Sequence, residues 1–502
     1  MADPDLDETL PTTQGSTQPV SQDPGTDNSP KDVLSPVSQT YWGRLCPLSR
    51  RLKHHDLVES SITFGTKSSN TIVIHEGLVD KDYFKYLDSV HFRIERDSIL
   101  IKGSNNFRRP KVDIHDLSRH GLFINGYKVG SGPRSISTPT KSGSSSTELK
   151  NNDLISLPTN KNGIYDKKFD AYIFIDSYAP IPSHFPKSVV EQYHVSLKLG
   201  AGAFGEVHLT SNKATGQTSA MKAIVQSFAP DFNSVDKQRC SNKLLNELEI
   251  LRTLDHPNVI KLNNSILHKN ECFVFLEYME GSDLAERISK LGRLPEHITK
   301  ILFYQICLGV QYLHSNRIIH RDIKPANVLL ASRRSETLAK LTDFGLSKVL
   351  RSTENMRTLC GTRLYAAPEL LSCKNEGKYT AQVDIWSLGV LLFVCLSGDD
   401  PFATEPHLIE KHIMIALYVM TPDVWKNVSV VAKNLVDSML IIDPLERIRL
   451  TDLLKDEWFQ DANLHVKLKT LYEFYGHPLP EYNLKSTIHN PHKKIKTQLN
   501  EF

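Results

Sequence analysis

The sequence lacks the cysteine pattern of a cross-linked or zinc-stapled protein. Its seven cysteines, at positions 46, 240, 272, 307, 360, 373 and 395, are odd in number and include no Cys-x-x-Cys pair, which argues against a disulfide framework and a structural zinc site. Reduced thiols in an intracellular chain are the expected state. Long apolar runs are also missing. The most apolar stretch, around Gly389–Leu396, is far too short to span a bilayer, and the acidic first residues hold no signal-like apolar core, so a soluble protein with no membrane partner is expected. Nor is there an excess of one charge, since 60 Lys and Arg against 57 Asp and Glu leave +3, giving no sign of direct nucleic-acid binding. What is present is 502 residues, 40% of them hydrophobic, enough for two or three domains with sizeable cores.

The near-neutral total conceals an asymmetry. Residues 1–40 carry −6 and the remainder +9. Those first 40 residues have no aromatic side chain, and 21 of them are Ser, Thr, Pro or Gln, so the segment cannot bury enough surface to offset the entropy of ordering it. It is expected to be a disordered acidic tail. All four of its glutamines follow Ser or Thr, at Thr13-Gln14, Thr17-Gln18, Ser21-Gln22 and Ser38-Gln39. Thr13, Thr17, Ser21 and Ser38 are therefore marked as a non-random set of candidate modification sites.

From Tyr41 the chain changes to short alternating runs: Thr71-Ile-Val-Ile74, His91-Phe-Arg-Ile94, Ser98-Ile-Leu-Ile101 and Tyr172-Ile-Phe-Ile175, separated by Gly, Asn and Asp. This predicts a β-sandwich over 41–176. Ser131–Thr147, rich in Ser, Gly and Thr, reads as a mobile loop between two strands. Pro180–Pro186 reads as a semi-rigid spacer within a linker spanning 177–192. After Tyr193 strands come first and then longer helical patterns, Asn246–Leu254 and Ile301–His314, which is a mixed α/β layout. Beyond Phe459, residues 460–502 read as a polar tail ending in the basic cluster His492-Lys-Lys-Ile-Lys496.

The chemistry-bearing motifs lie between 193 and 370. Leu199-Gly-Ala-Gly-Ala-Phe-Gly-Glu-Val207 joins two strands, and glycines at 200, 202 and 205 let backbone N–H groups approach phosphate oxygens. As strand–turn–strand it differs from the strand–helix of a dinucleotide site. Ser219-Ala-Met-Lys222 ends a third strand and offers an ammonium for phosphates, with Glu247 on the next helix as its partner. His320-Arg-Asp-Ile-Lys-Pro-Ala-Asn327 supplies a carboxylate to orient a hydroxyl, a lysine for the moving phosphoryl group and an amide oxygen for a metal. Asp343-Phe-Gly345 supplies a second metal ligand, and Ala367-Pro-Glu369 closes the segment.

In this order the motifs resemble the eukaryotic protein-kinase family over 193–459, which implies a bilobal α+β fold and ATP and Mg²⁺ as cofactors. The resemblance implies that Asp322 is the catalytic base, Lys324 stabilises phosphate charge, Asn327 and Asp343 hold the metal, and Lys222 and Glu247 position phosphates. Leu199, Gly200, Ala201, Gly202, Gly205, Val207, Ala220 and Leu329 would enclose the nucleotide. Leu276 would be the gatekeeper, Glu277 and Met279 hinge contacts, and Asp283 a ribose contact. Lys324 is similar to its counterpart in Ser/Thr kinases, so the acceptor should be an alcohol. Thr358 lies at the family's activating position, where a phosphate could bind Arg321, and Thr362 sits where relatives contact the catalytic Asp and Lys. Glu369 and Arg447 resemble a buried structural ion pair, and Asp384 a brace for the catalytic loop.

The block 41–176 resembles a forkhead-associated (FHA) domain, which reads phosphothreonine peptides. Phe64-Gly65, His91-Phe-Arg-Ile94, Asp116-Leu-Ser118, Gly121-x-Phe-Ile-Asn-Gly126 and Asn152-Asp-Leu-Ile-Ser156 carry the likeness. Tail, FHA-like block and kinase together resemble the DNA-damage checkpoint kinase 2 group, which implies upstream Ser/Thr-Gln-directed phosphorylation, protein substrates, a homodimer, and a nuclear location with a cytoplasmic pool. The pocket departs from its family. Gly65 is followed by Thr66 instead of Arg, with Lys67 beside it; Asp88 replaces a Ser three residues before His91; and His120 precedes Gly121 in place of Asn. A carboxylate at 88 would repel a dianionic phosphate. The expectation is that this module packs on its own kinase or on a second chain, with phosphopeptide binding reduced or lost. Ala326 stands where basophilic relatives carry Glu, leaving Asp283 and Glu286 to attract basic substrates. A scaffold with a silent kinase fold is the competing reading, and the presence of Lys222, Asp322, Asn327 and Asp343 weighs against it.

Overall fold

The computed structural model describes residues 41–480 except 80, 98–109, 132–134, 137–144, 159–169, 181, 183, 203–204, 226–247, 270, 345–362, 373–379, 403–404 and 406. The acidic tail, the strand expected at Ser98–Ile101 and the basic cluster lie outside the described residues. No helix among the described residues is long and apolar enough to cross a membrane.

The amino-terminal block forms twelve short strands: β1 (Gly43–Pro47), β2 (His55–Leu57), β3 (Ser61–Gly65), β4 (Ile72–Val73), β5 (Phe92–Arg96), β6 (Val112–Asp116), β7 (Phe123–Ile124), β8 (Tyr127–Lys128), β9 (Ser135–Ile136), β10 (Ser145–Glu148), β11 (Leu154–Ser156) and β12 (Asp170–Asp176). They pair into two six-stranded sheets, ordered β2-β1-β12-β11-β7-β8 and β4-β3-β5-β6-β10-β9. Alternation explains the sandwich. Ile62 and Phe64, Phe92 and Ile94, and Val112 and Ile114 are buried from successive strands of one sheet, opposite Leu45, Ile155, Tyr172 and Phe174 of the other. The Phe64 and Phe92 rings stack at 4.4 Å. One expectation is corrected here. The Ser-rich stretch 131–147 is not wholly a loop, because Ser145–Glu148 pairs antiparallel with β6. Thr147 and Leu149 alternate into the buried side, a β-branched and an aliphatic residue outweighing the loop-like composition around them.

The linker is also more structured than its prolines suggest. Lys187–Val190 is a helical turn, and Val189, Tyr193, Met221, Phe273 and Phe275 form one cluster with Phe185 against it. This turn covers one face of a five-stranded sheet ordered β13 (Tyr193–Gly202), β14 (Gly205–Asn212), β15 (Thr218–Val225), β17 (Glu271–Glu277), β16 (Leu262–His268). The strand expected to end at Lys222 continues to Val225. Residues 248–253 are helical.

The carboxy-terminal lobe is helical around Glu296–Ser315 and Gln382–Ser397. The second of these is buried from Val383 to Ser397, which explains why its sequence shows no amphipathic stripe. A small hairpin, β18 (Val328–Leu330) with β19 (Ala339–Leu341), carries the residues between the two catalytic motifs. The polar tail assigned to 460–502 needs correction too. Ala462–Phe474 is a helix capped by Asp461, and Leu464, Leu468 and Tyr472 are buried. The i, i+4, i+8 spacing of those three makes one apolar stripe among polar residues. Tyr472 Oη donates to Asn258 Oδ1 at 2.5 Å, fastening this helix to the lobe.

The β-sandwich and the kinase-like part are joined by more than a linker. The guanidinium of Arg44 is 1% exposed. It donates to the carbonyls of Asn212 (2.9 Å) and Lys213 (3.0 Å) and to Asp56 Oδ1 (2.5 Å) and Oδ2 (3.1 Å). Thr218 Oγ1 donates to Pro47 O, and Ser196 Oγ to Asn152 Oδ1. Between these bonds Cys46, Leu48, Ile173 and Ile175 of the sandwich pack with Leu209 and Tyr278. Each fully buried aliphatic side chain contributes about 1.5–3 kcal/mol relative to exposure.

Candidate active site

Two neighbouring strands set out one side of the cleft. In β14–β15 Val207 lies opposite Lys222, Leu209 opposite Ala220 and Ser211 opposite Thr218, so all six share a face. Ala220 also pairs with Leu276 of β17. Leu276 in turn walls a cavity of about 20 Å³ with Leu262, Thr342, Asp343 and Phe344. Sequence-predicted Val207, Ala220, Lys222 and Leu276 are thus brought together. Leu329 joins from the opposite lobe and is bridged to Asp283. Asp283 Oδ1 accepts the Glu286 N–H at 2.8 Å as the cap of the helix Leu284–Leu291. Glu286 is engaged as well, by Lys290 Nζ and Ser282 Oγ, so its carboxylate is not held ready for a basic peptide.

The glycines of the first motif do different things. At Gly205, φ is +133° and a Cβ would lie 2.4 Å from Ala223 O, so only glycine fits beside β15. A Cβ on Gly200 would meet nothing within 4 Å, which leaves open space over the cleft. Leu199 and Ala201 are exposed on the same strand end.

The catalytic loop is held from beneath. Asp384 is fully buried and accepts the His320 N–H (2.9 Å), the Arg321 N–H (2.8 Å) and His314 Nε2–H (2.8 Å). Burial acts to raise its carboxyl, but His314, His320 and the Arg321 N–H outweigh it, and the pKa falls below the ordinary carboxylate value. The expected brace is thereby in place. Burial also lowers the His320 pKa, and its Nδ1 accepts the Asp322 N–H at 3.4 Å, which keeps the ring neutral with its proton on Nε2. Arg321 takes φ +67° and Asp343 φ +62°, left-handed conformations that for these residues require outside support. Glu369 and Arg447 form the expected pair, with Arg447 Nη1 donating to Oε1 at 2.9 Å and Nη2 to Oε2 at 3.1 Å.

On this base the polar groups converge. Lys324 Nζ donates to both Asp322 oxygens, at 3.1 and 3.0 Å, and Asn327 Nδ2 to Asp322 O at 2.7 Å and Oδ2 at 3.0 Å. With its amide N–H₂ committed to Asp322, Asn327 can offer only its carbonyl oxygen to a ligand. The Thr342 N–H donates to the main-chain carbonyl of Asn327 at 3.0 Å, holding the backbone before Asp343 against the backbone of Asn327. Lys222 Nζ crosses from the other lobe and donates to both Asp343 oxygens at 2.8 Å. An amide oxygen and a carboxylate are hard donors, the set that suits a small divalent cation completing its shell with phosphate oxygens. No cluster of three or more His, Cys, Asp or Glu forms a metal cage among the described residues. Glu247, Gly345, Thr358 and Thr362 lie outside the described residues.

The residues expected to form a phosphothreonine pocket lie in the β-sandwich. Gly65, Thr66, Asp88, His91, His120 and Gly121 do gather. A Cβ on Gly65 would fall 2.4 Å from Ser89 O, and Thr66 donates its N–H (3.1 Å) and Oγ1–H (3.3 Å) to Asp88 O. Lys67 uses its N–H on Ser89 O. The decisive residue was not found from the sequence. Arg119 donates its backbone N–H and its Nε–H to the two Asp88 oxygens, both at 2.7 Å. Burial works to raise the Asp88 carboxyl, and the Arg119 bonds more than offset it. His91 is buried, accepts the Asp88 N–H at Nδ1 and is pushed down to about 4 by burial, so it brings no positive charge near pH 7. The only sequence signal for Arg119 was its position beside His120-Gly121.

Comparison with known proteins follows the same division. The family description "Protein kinase domain" matches residues 193–459. The chain is 36% identical over 472 residues to the ovarian-specific serine/threonine-protein kinase Lok of Drosophila melanogaster, covering 89% of this chain and 92% of Lok. It is 29% identical over 471 residues to serine/threonine-protein kinase chk-2 of Caenorhabditis elegans, covering 90% and 89%. To the DNA damage response protein kinase DUN1 of Saccharomyces cerevisiae it is 31% identical over 408 residues, covering 71% and 77%.

Proposed function

This chain belongs to the protein kinase family, as a serine/threonine kinase, and on that premise we propose that it is a checkpoint effector of the DNA-damage response, switched on by phosphorylation. The observation that supports the catalytic part best is the joining of the two lobes through Lys222 and Asp343 over a braced Asp322. Asp322 would accept the proton of a substrate Ser or Thr hydroxyl as its oxygen bonds to the ATP γ-phosphorus and the bond to the β–γ bridging oxygen breaks. Lys324 would hold the transferring oxygens and Lys222 the α- and β-phosphates. Asn327 Oδ1 and the Asp343 carboxylate would hold Mg²⁺, which supplies charge neutralisation of the phosphates. The dead-scaffold alternative loses ground, because each of these residues sits in a supported position.

Regulation is proposed at two places. Phosphorylation of Thr13, Thr17, Ser21 or Ser38 by an upstream Ser/Thr-Gln-directed kinase would mark the acidic tail, and phosphorylation of Thr358 would order the activation segment through Arg321. Thr362 is the second candidate in that segment. The FHA-like module is assigned a docking role on its own kinase, with phosphothreonine binding reduced or lost. Homodimer formation and a nuclear location with a cytoplasmic pool complete the reading. The test is phosphorylation of Ser-, Thr- and Tyr-containing peptides by the purified chain, before and after phosphatase and as Thr358→Ala. Ser/Thr transfer that falls at least about tenfold after phosphatase and in Thr358→Ala is expected. Full activity of unphosphorylated Thr358→Ala would overturn the switch.

A further inference from the structure

We propose that Arg50, in the β-sandwich module, is a positioning residue for nucleotide binding by the kinase, completing the hinge from outside the catalytic domain. The inference rests on the reading of Glu277 and Met279 as hinge residues. Arg50 Nη2 donates to Glu277 Oε2 across 227 residues of sequence, and lies 3.3 Å from Met279 Sδ. One guanidinium therefore touches both residues whose backbone would meet adenine.

Glu277 is held from three directions. Its Oε1 accepts the Lys261 N–H at 2.9 Å and Lys340 Nζ at 2.7 Å, and Arg50 takes the other oxygen. Side-chain exposure is 32% for Arg50, 15% for Glu277 and 4% for Lys340, so the group is partly shielded and less weakened by solvent than a surface pair. Lys340 belongs to β19, whose next residues lead through Thr342 to Asp343. The hinge carboxylate thus links Arg50 on one side to the strand of the metal-ligand residue on the other.

The module can hold Arg50 still because it is docked independently. Arg44 is fixed on the carbonyls of Asn212 and Lys213, and Cys46 and Leu48 are buried against Leu209 and Tyr278. The face of β14–β15 bearing Val207, Ala220 and Lys222 continues through Leu209, Ser211 and Thr218 to β1. The module therefore begins along the same face, at the hinge end of the cleft. Ordering the hinge before nucleotide arrives lowers the entropy lost on binding, an effect on ground-state affinity and not on the chemical step.

The experiment compares the full chain as wild type, Arg50→Met, Arg50→Lys and Ala220→Leu, measuring KM for ATP, KM for peptide and kcat. Arg50→Met is expected to raise the KM for ATP about fivefold, with kcat and the peptide KM within about twofold. Arg50→Lys, which can still pair with Glu277, is expected to recover at least about half of the loss. A KM for ATP unchanged in Arg50→Met, or a fall in kcat alone, would overturn the positioning role. Ala220→Leu should raise the KM for ATP whatever Arg50 does. If it does not, the reading of the cleft itself fails, whereas a response to Ala220→Leu without one to Arg50→Met defeats only the role of Arg50.

Discussion

The proposed catalytic cleft and the proposed phosphothreonine pocket of the β-sandwich both bring cations and carboxylates together, and they dispose of those charges in opposite ways. In the cleft, Lys222 and Asp343 meet across two lobes, the pair proposed to part for a phosphate and a cation. In the pocket, Asp88 and Arg119 belong to the same module, and Asp88 takes both a backbone N–H and the guanidinium. The Asp88 carboxylate already stands where the FHA reading expects the phosphate. The difference shows that a phosphate site is defined less by which charged residues it contains than by whether they satisfy one another before the ligand comes.

The comparison breaks first if the cleft is not the catalytic centre. Asp343→Ala removes the proposed metal ligand and the Lys222 partner together, and a loss of kinase activity on the order of 10³-fold or more is expected. Activity within tenfold of wild type would end that assignment. On the FHA reading, the pocket should open when the expected phosphate-binding chemistry is supplied. Asp88→Ser with Thr66→Arg removes the internal anion and adds a guanidinium, and affinity for a phosphothreonine peptide in a fluorescence-anisotropy titration is expected to rise by about tenfold to a hundredfold. No gain would show that Asp88 is not what closes the pocket.

The smallest expected effect lies between the two regions. Glu280, just past the hinge, lines a cleft of about 910 Å³ between sandwich and kinase with Arg51, Asp170 and Arg333. Burial, with Asp170 adding and Arg333 and Arg50 opposing, raises its carboxyl from 4.5 to about 7. Because the folded state holds this proton more tightly than the unfolded state, Glu280 should cost stability progressively as pH rises from 4.5 to about 7, and by a constant amount above that. Thermal denaturation of Glu280→Gln should match wild type near pH 4.5 and exceed it by a few degrees at pH 8, a difference of about that size for one or two kcal/mol in a large chain. A pH-independent difference would contradict the assignment.

The sequence made some of these parts legible and concealed others for physical reasons. Asp322, Asn327, Asp343 and Lys222 were named from motifs whose chemistry tolerates few side chains, and the structure brings them together. The strand at His91–Ile94 shows the two-residue period of a half-buried sheet, and Tyr172–Ile175 is a continuous apolar run buried on both faces. The helix Ala462–Phe474 escaped because only three of its residues are buried, too few to lift a polar composition. Arg44, Arg50 and Arg119 escaped for a different reason. Their partners lie far off in sequence, 227 residues away for the Arg50–Glu277 pair, and an arginine carries no local mark of what it will meet.

The claim that the cleft is poised while the pocket is closed is tested most directly by titrating the full chain, without ATP, with a peptide of residues 8–22 bearing phosphothreonine at Thr17. No saturable binding below about 100 μM is predicted, because the Asp88 carboxylate, bonded to the Arg119 backbone N–H and Nε–H, would repel the phosphate. Micromolar binding by the wild-type chain would contradict it.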